Sequence, residues 1–266
     1  MNKYDGVPRE LLDDLTAEFE ALRALITSGT DLRRPTPAAG WDIRAGVSHL
    51  IGCDLVAAEA MATPGEFRRA RPATDEGLTA LLESHLTTRG DFSAERLRQE
   101  WDDAFAALLK AFQSTRRDQK VPWFGPPMSP ATLATARLME YWAHGQDVAE
   151  ALKIDRRPTD RIRHVCHLGS ATFGFSFTNR GLPVPSSPPR VELRLPSGRL
   201  WARGPEDAHA SITGDALDFA LVVTQRRHHL DTSLTCRGEV AEQWLAIAQC
   251  FAGPPGPGRP PGEAPQ

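Results

Sequence analysis

Glu140, His144 and Asp147 stand four and three residues apart within MEYWAHGQDV. Each of these side chains can bind a metal ion or move a proton. Successive residues of an α-helix turn by about 100°, so all three fall in one narrow stripe. The stripe also carries Leu133, Ala136 and Ala151. Leu138, Trp142, Ala149 and Leu152 take the opposite side, and Gln146, Glu150 and Lys153 form a third face suited to solvent. The three chemical groups are therefore expected away from the wet face. Buried carboxylates and imidazoles need partners, because an unpaired buried charge costs several kcal/mol. Glu and His at i and i+4 have Cβ atoms about 5–6 Å apart, close enough to grip one ion. The bland alternative is a Glu–His hydrogen bond on a half-wet face.

His49 offers a third ligand. In GWDIRAGVSHLIGCDLVAAEAM it shares a stripe with Ala45, Cys53 and Val56, away from Ile43, Val47 and Leu50. Taken alone, His49 reads as a satisfied core histidine; two such stripes in one bundle bring the metal reading level with that one. Two imidazoles and one carboxylate suit catalytic zinc with one position open. The same set suits ferrous iron, so the expectation is Zn²⁺ or another divalent ion. Asp147, one turn beyond His144, can accept that imidazole's other N–H, or act as a catalytic base. Cys53 is either a further ligand or a small buried residue.

The elements that must position these groups are mostly helices. Residues 8–28 repeat apolar side chains at helical spacing through Leu11, Leu15, Phe19, Leu22 and Ile26, after Pro8 at the first turn. Asp42 N-caps a second helix, Ser93 opens a third, and Ser129 with Pro130 starts the fourth long helix, which carries the stripe. PGEFRRARPATDEG reads as a polar break before a short helix at 75–88, and KVPWFGPPM as a loop whose Trp123 and Phe124 could line a pocket or simply pack. Four long helices without strand signals predict a helical bundle over residues 1–157. The pattern then changes. A helix at 160–178, a hairpin in VELRLPSGRLWAR around its Ser-Gly turn, short strands at SIT and SLTCR, and helices after Asp215 and in EVAEQWLAIAQCFAG predict an α+β domain over 158–253. The fold class is thus α+β overall, with residues 254–266 a Pro/Gly-rich tail expected to be disordered.

Composition limits the function. The 266 residues are 41% hydrophobic and carry a net charge of −3, with no basic face for nucleic acid or an anionic membrane. The polar start MNKYDGVPRE is unlike a secretory leader, and no apolar run is expected to span a membrane. Cys53, Cys166, Cys236 and Cys250 are scattered without CxxC pairing, which suits a reducing cytoplasm. Monomer is the default expectation. His164, His167, His228 and His229 lie in the second half without matching partners and read as surface or polar-network residues.

GWDIRAGVSHL together with MEYWAHGQDVAEAL resembles the metal-binding helices of DinB-like proteins, and more narrowly the mycothiol-dependent maleylpyruvate isomerase family of actinobacteria. GPEDA, ITGDALDFALVVTQRR and WLAIAQCFAGPP resemble that family's C-terminal α+β domain, which is similar to sterol carrier folds. The resemblance implies zinc on His49, Glu140 and His144, and mycothiol as thiol cofactor. It also implies an arginine near the substrate in the second domain: Arg226, with Arg227 as rival, where the family often reads Gly-Arg and this chain reads Gln225-Arg226. Trp123 and Phe124 would then border the cofactor. Three readings follow. A metal-activated thiolate attacks an electrophilic small molecule, giving isomerisation or S-transfer. Alternatively the metal activates water and Asp147 is the base, giving a hydrolase. In the third, the chain binds a hydrophobic small molecule without catalysis.

Overall fold

The computed structural model describes residues 6–70 and 75–262. The chain divides into two compact units, residues 1–155 and 156–266.

The first unit contains α1 (Arg9–Leu25), α2 (Ile43–Ala62), α3 (Pro64–Ala70), α4 (Asp75–Thr88), α5 (Ala94–Ser114), β1 (Val121–Trp123), β2 (Gly125–Met128) and α6 (Pro130–Leu152). The helix starts follow the caps read in the sequence. Asp42 accepts from the Ala45 N–H, Ser93 from that of Arg96 and Ser129 from that of Thr132, each satisfying an otherwise orphaned first-turn amide. Two expectations are corrected. PGEFRRA is helical rather than a break, burying Phe67, and VPWFGPPM is not a loop but an antiparallel hairpin pairing Val121 with Met128.

Helices α1, α2, α5 and α6 form a ring of four. α1 packs on α6, α6 on α2 and α2 on α5. The ring closes between α1 and α5, where Phe19 stacks on Phe105 at 3.9 Å and Arg23 makes a two-pronged bridge to Asp102, both contacts at 2.7 Å. α1 and α5 bury one stripe each, whereas α2 and α6 are buried around most of their circumference. α2 is long and apolar enough by composition to cross a membrane, against the expectation that no run would be; 67% of that stretch is buried inside the protein.

Because α2 and α6 are central, their polar side chains must find partners on each other. Asp54 on α2 is fully buried and accepts from the Arg137 Nε of α6 at 2.9 Å and from the Tyr141 hydroxyl. Arg137 also donates to the Leu50 carbonyl, and Trp101 Nε1 of α5 donates to the Tyr141 oxygen at 2.9 Å. Burial pushes the Asp54 carboxyl up, against the pull of Arg137 and Tyr141. Burial works against the Arg137 charge too, but Asp54, Cys53, Glu140 and Tyr141 together outweigh it and raise the guanidinium, which stays protonated. This network ties three helices at one level of the bundle.

The second unit holds α7 (Ile162–Ala171), α8 (Phe173–Thr178), β3 (Arg190–Arg194), β4 (Leu200–Arg203), β5 (Ser211–Asp215), α9 (Ala216–Val223), a 3-10 turn (His229–Asp231), β6 (Thr235–Arg237) and α10 (Glu239–Ile247). The helix expected at 160–178 is two helices, broken at Thr172. The predicted hairpin is present, with Val191 opposite Arg203 and Gly198 at φ 86° in the turn. The sheet order is β4-β3-β5-β6, with β3 and β5 parallel. Val191, Leu193, Ile212, Phe219 and Trp244 lie in its core. Of the tail, residues 254–262 are described: Gly256 accepts from Arg180 Nη2 at 2.8 Å, and the Gly262 amide donates to Asp231 at 2.9 Å. Residues 263–266 lie outside the described residues.

Asp54→Ala leaves the Arg137 charge buried and unpaired. It should lower stability by about 3–5 kcal/mol in urea denaturation, whereas Tyr141→Phe should cost only about 1–2 kcal/mol. Equal, small effects would show that the network does not lock the bundle.

Candidate metal centre

The loop before α2 sets one wall of the site. Pro35 bridges to Asp42, and Gly40 takes φ 79°, a turn geometry glycine adopts without steric cost. Both the amide and hydroxyl of Thr36 donate to the Trp41 carbonyl, at 2.9 and 2.8 Å, and the Trp41 amide donates to Ala38 at 2.9 Å. Trp41 is thus pinned by its backbone immediately before the Asp42 cap. Its indole stacks on the His144 ring at 5.6 Å with the planes 6° apart, and meets the His49 ring edge-on at 5.2 Å. In the sequence Trp41 is simply the residue before the Asp42 cap. An aromatic in a turn carries no periodicity, so nothing in the spacing marked it.

His49 comes from the middle of α2, Glu140 and His144 from successive turns of α6. His49 Nε2 lies 3.3 Å from Glu140 Oε2, and His144 Nε2 lies 3.5 Å from the same oxygen. The ligand atoms of all three lie within 4.8 Å of one another; among the described residues this is the cluster that could hold a metal. His144 is buried, while His49 and Glu140 keep side-chain exposures of 12% and 21%, which leaves one side approachable. Asp147 Oδ2 lies 3.3 Å from His144 Nδ1, so the carboxylate favours the tautomer that turns Nε2 toward the cluster. Cys53 Sγ is 3.8 Å from both ring nitrogens of His49, and thus lies beside the ring rather than ahead of Nε2.

The charges interlock. Burial alone would raise the Glu140 carboxyl, but hydrogen bonds from His144 and His49 hold it well below the usual range. Burial alone would lower His49, but Cys53 and Glu140 beside it raise the imidazole to about 10. The donor set fits a divalent ion. Ligands at about 2.0–2.1 Å in a tetrahedron are about 3.3–3.4 Å apart, close to both observed contacts to Glu140.

The other expected site residues sit on other elements. Trp123 and Phe124 belong to the β1–β2 hairpin, where Phe124 meets Phe67 of α3 at 6.1 Å and Trp123 at 5.6 Å. Glu140 stands ten residues beyond Pro130, about 15 Å along α6. The aromatic beside the cluster is Trp41. Arg226 lies in the second unit just after α9, with Nη1 donating to the Thr224 carbonyl at 2.7 Å. Gln225 before it takes φ 59°, the left-handed geometry that glycine favours, and is held there by Nε2 donating to Ala248. The chain therefore keeps, with a glutamine, the turn that a Gly-Arg pair would make. Arg227 instead contacts Asp218 at 3.3 Å. His167 Nδ1 accepts from Arg203 at 2.9 Å, His164 is on α7, and the rings of His228 and His229 lie 4.4 Å apart with their planes tilted by 33°.

A helical bundle presenting two imidazoles and a carboxylate, continued by a small α+β unit, defines a two-unit protein with a built ligand set in its first half. Residues 12–149 match the mycothiol maleylpyruvate isomerase N-terminal domain, and the chain belongs to that family. It is 41% identical over 254 residues to an uncharacterized protein present in two strains of Mycobacterium tuberculosis, covering 95% of this chain and 99% of the relative. Its fold is that of the mycothiol-dependent maleylpyruvate isomerase. The crystal structure of that enzyme matches with a TM-score of 0.57 at 16% identity, and a single-substitution mutant of it with 0.60 at 14%. Each alignment covers 89% of this chain and 95% of the other.

A protonated His49 cannot ligate, so metal and proton compete. Below pH 10 the metal-free protein holds that proton. Zinc binding should therefore release close to one proton between pH 6 and 8, and apparent affinity should rise about tenfold per pH unit. Calorimetry in buffers of different ionisation enthalpy reads this directly, and pH-independent binding would contradict it. Asp147→Asn should weaken zinc about 10–100-fold without removing it.

Proposed function

We propose that this chain is a zinc-dependent enzyme that uses mycothiol as a thiolate against an electrophilic small molecule, by isomerisation or S-transfer. The observation that carries the proposal is the convergence of His49 Nε2, His144 Nε2 and Glu140 Oε2 at 3.3–3.5 Å, in a chain of this family. His49, Glu140 and His144 would hold the ion. An ion held by three protein ligands, with one position open, supplies what a free alkyl thiol lacks: full ionisation near pH 7, where an ordinary thiol of pKa about 8.5 is only a few per cent thiolate.

The chain's own residues do the rest. Asp147 fixes the His144 ring, and Glu140 brings the negative charge that balances the cation. Trp41 covers the two imidazoles and keeps water from that side. Arg226 is proposed to receive a carboxylate of substrate or cofactor. The engagement of Asp147 with His144 Nδ1 favours thiol chemistry over hydrolysis, because a water-activating site needs a carboxylate free to take a proton. The same chemistry fits a protein acting on small molecules.

The test uses zinc-loaded protein with mycothiol and maleylpyruvate as first probe, followed by mass spectrometry. Isomerisation leaves the product mass unchanged, whereas S-transfer, tried on substrates that carry a leaving group, changes it by the thiol gained less the group expelled with a proton. His144→Ala should abolish turnover and zinc while retaining helix content. Arg226→Ala should raise KM at least tenfold with zinc content unchanged. Turnover that proceeds without thiol would replace this reading with hydrolysis.

A further inference from the structure

The second unit contains a small cationic pocket whose lining shares no residue with the metal cluster. It has a volume of about 40 Å³ and is lined by Arg180, Gln225, Arg227, His228, His229 and Arg259, with apolar side chains behind them. These residues come from four separated stretches: the end of α8, the turn after α9, the apolar face of α10 and the tail. Three guanidiniums and two imidazoles converge, and none of the lining side chains is acidic.

Like charges do not gather in a half-buried cavity without a reason, because each raises the cost of the others. For Arg180 and Arg227 the compensation is partial. Asp218 contacts Arg227 Nη1 at 3.3 Å, but it also accepts from the amide and hydroxyl of Ser233 at 2.8 and 2.7 Å. Asp231 is engaged by the Gly262 amide. Arg180 spends Nη2 on the Gly256 carbonyl, a neutral acceptor. The Nε atoms of Arg180 and Arg227 are buried with no hydrogen-bond partner. The backbone is set to hold this arrangement. Gln225 stays in the left-handed region and turns the chain so that residues 227–229 face the pocket. The tail folds back so that Pro257, Gly258 and Arg259 close its other side.

We propose that this pocket binds the oxyanion group, carboxylate or phosphate, of a small anionic ligand. The size admits one such group and not a whole metabolite, so the rest of the ligand would extend outward. Planar guanidiniums match both oxyanions, and at least two of them face the same space.

Full-length zinc-loaded protein is titrated with inorganic phosphate, and separately with acetate, at ionic strength held constant with sodium chloride so that general screening does not change. Amide shifts of residues 225–229 and of Gly256, Gly258 and Arg259 are followed by NMR. A saturable shift with either anion is expected, and which anion gives it names the group. Arg180→Gln or Arg259→Gln should weaken binding at least tenfold while zinc content stays unchanged. Arg259 lies in the tail, so that variant leaves the core intact. No saturable shift with either anion, or unchanged affinity in both variants, overturns the proposal.

Discussion

Arg137 and Asp54 face each other across the two central helices, fully buried, and the geometry of the cluster depends on that pair. Arg137 lies three residues before Glu140, and Asp54 lies five after His49. A slip of α2 against α6 would break the ion pair before it disturbed any apolar contact, since Leu, Ile and Val tolerate sliding and a buried charge does not. The pair thus converts two greasy helices into a fixed register. Tyr141 and Trp101 extend the same constraint to α5. In that register, His49 meets Glu140 and His144 without adjustment.

Around this fixed core the cluster is supported from both sides. Asp147 stands behind His144, and Trp41 lies against its face from a turn held by its own backbone hydrogen bonds. The imidazoles are therefore oriented before any ligand arrives. Preorganisation of this kind lets a site spend its binding energy on the reacting group rather than on ordering itself. Partial exposure of His49 and Glu140 supplies the approach that a wholly buried cluster would lack.

How much of this was legible in the sequence follows from the range of each interaction. Glu140 and His144 are one turn apart, so helical period alone put them together, and Asp42, Ser93 and Ser129 announced their helices through local capping chemistry. His49 required the assumption that two polar stripes face each other, and the family resemblance supplied it. The Asp54–Arg137 pair was not legible, because its members are 83 residues apart and each sits in an apolar stretch that reads as core. Trp41 was missed because a turn residue has no period. The packing of Phe124 on Phe67 was not legible either, because it joins a hairpin to a short helix far back along the chain. The parallel β3–β5 pairing and the cationic pocket likewise join segments that are distant along the chain.

The central claim is a metal held by two imidazoles and one carboxylate with room for sulfur. X-ray absorption at the zinc edge, recorded on the loaded protein before and after mycothiol is added, tests it most directly. The account predicts only nitrogen and oxygen neighbours at about 2.0–2.2 Å beforehand and one new sulfur at about 2.3 Å afterwards. A sulfur neighbour already present without the thiol would assign Cys53 to the metal. Together with no change on adding mycothiol, it would contradict the account.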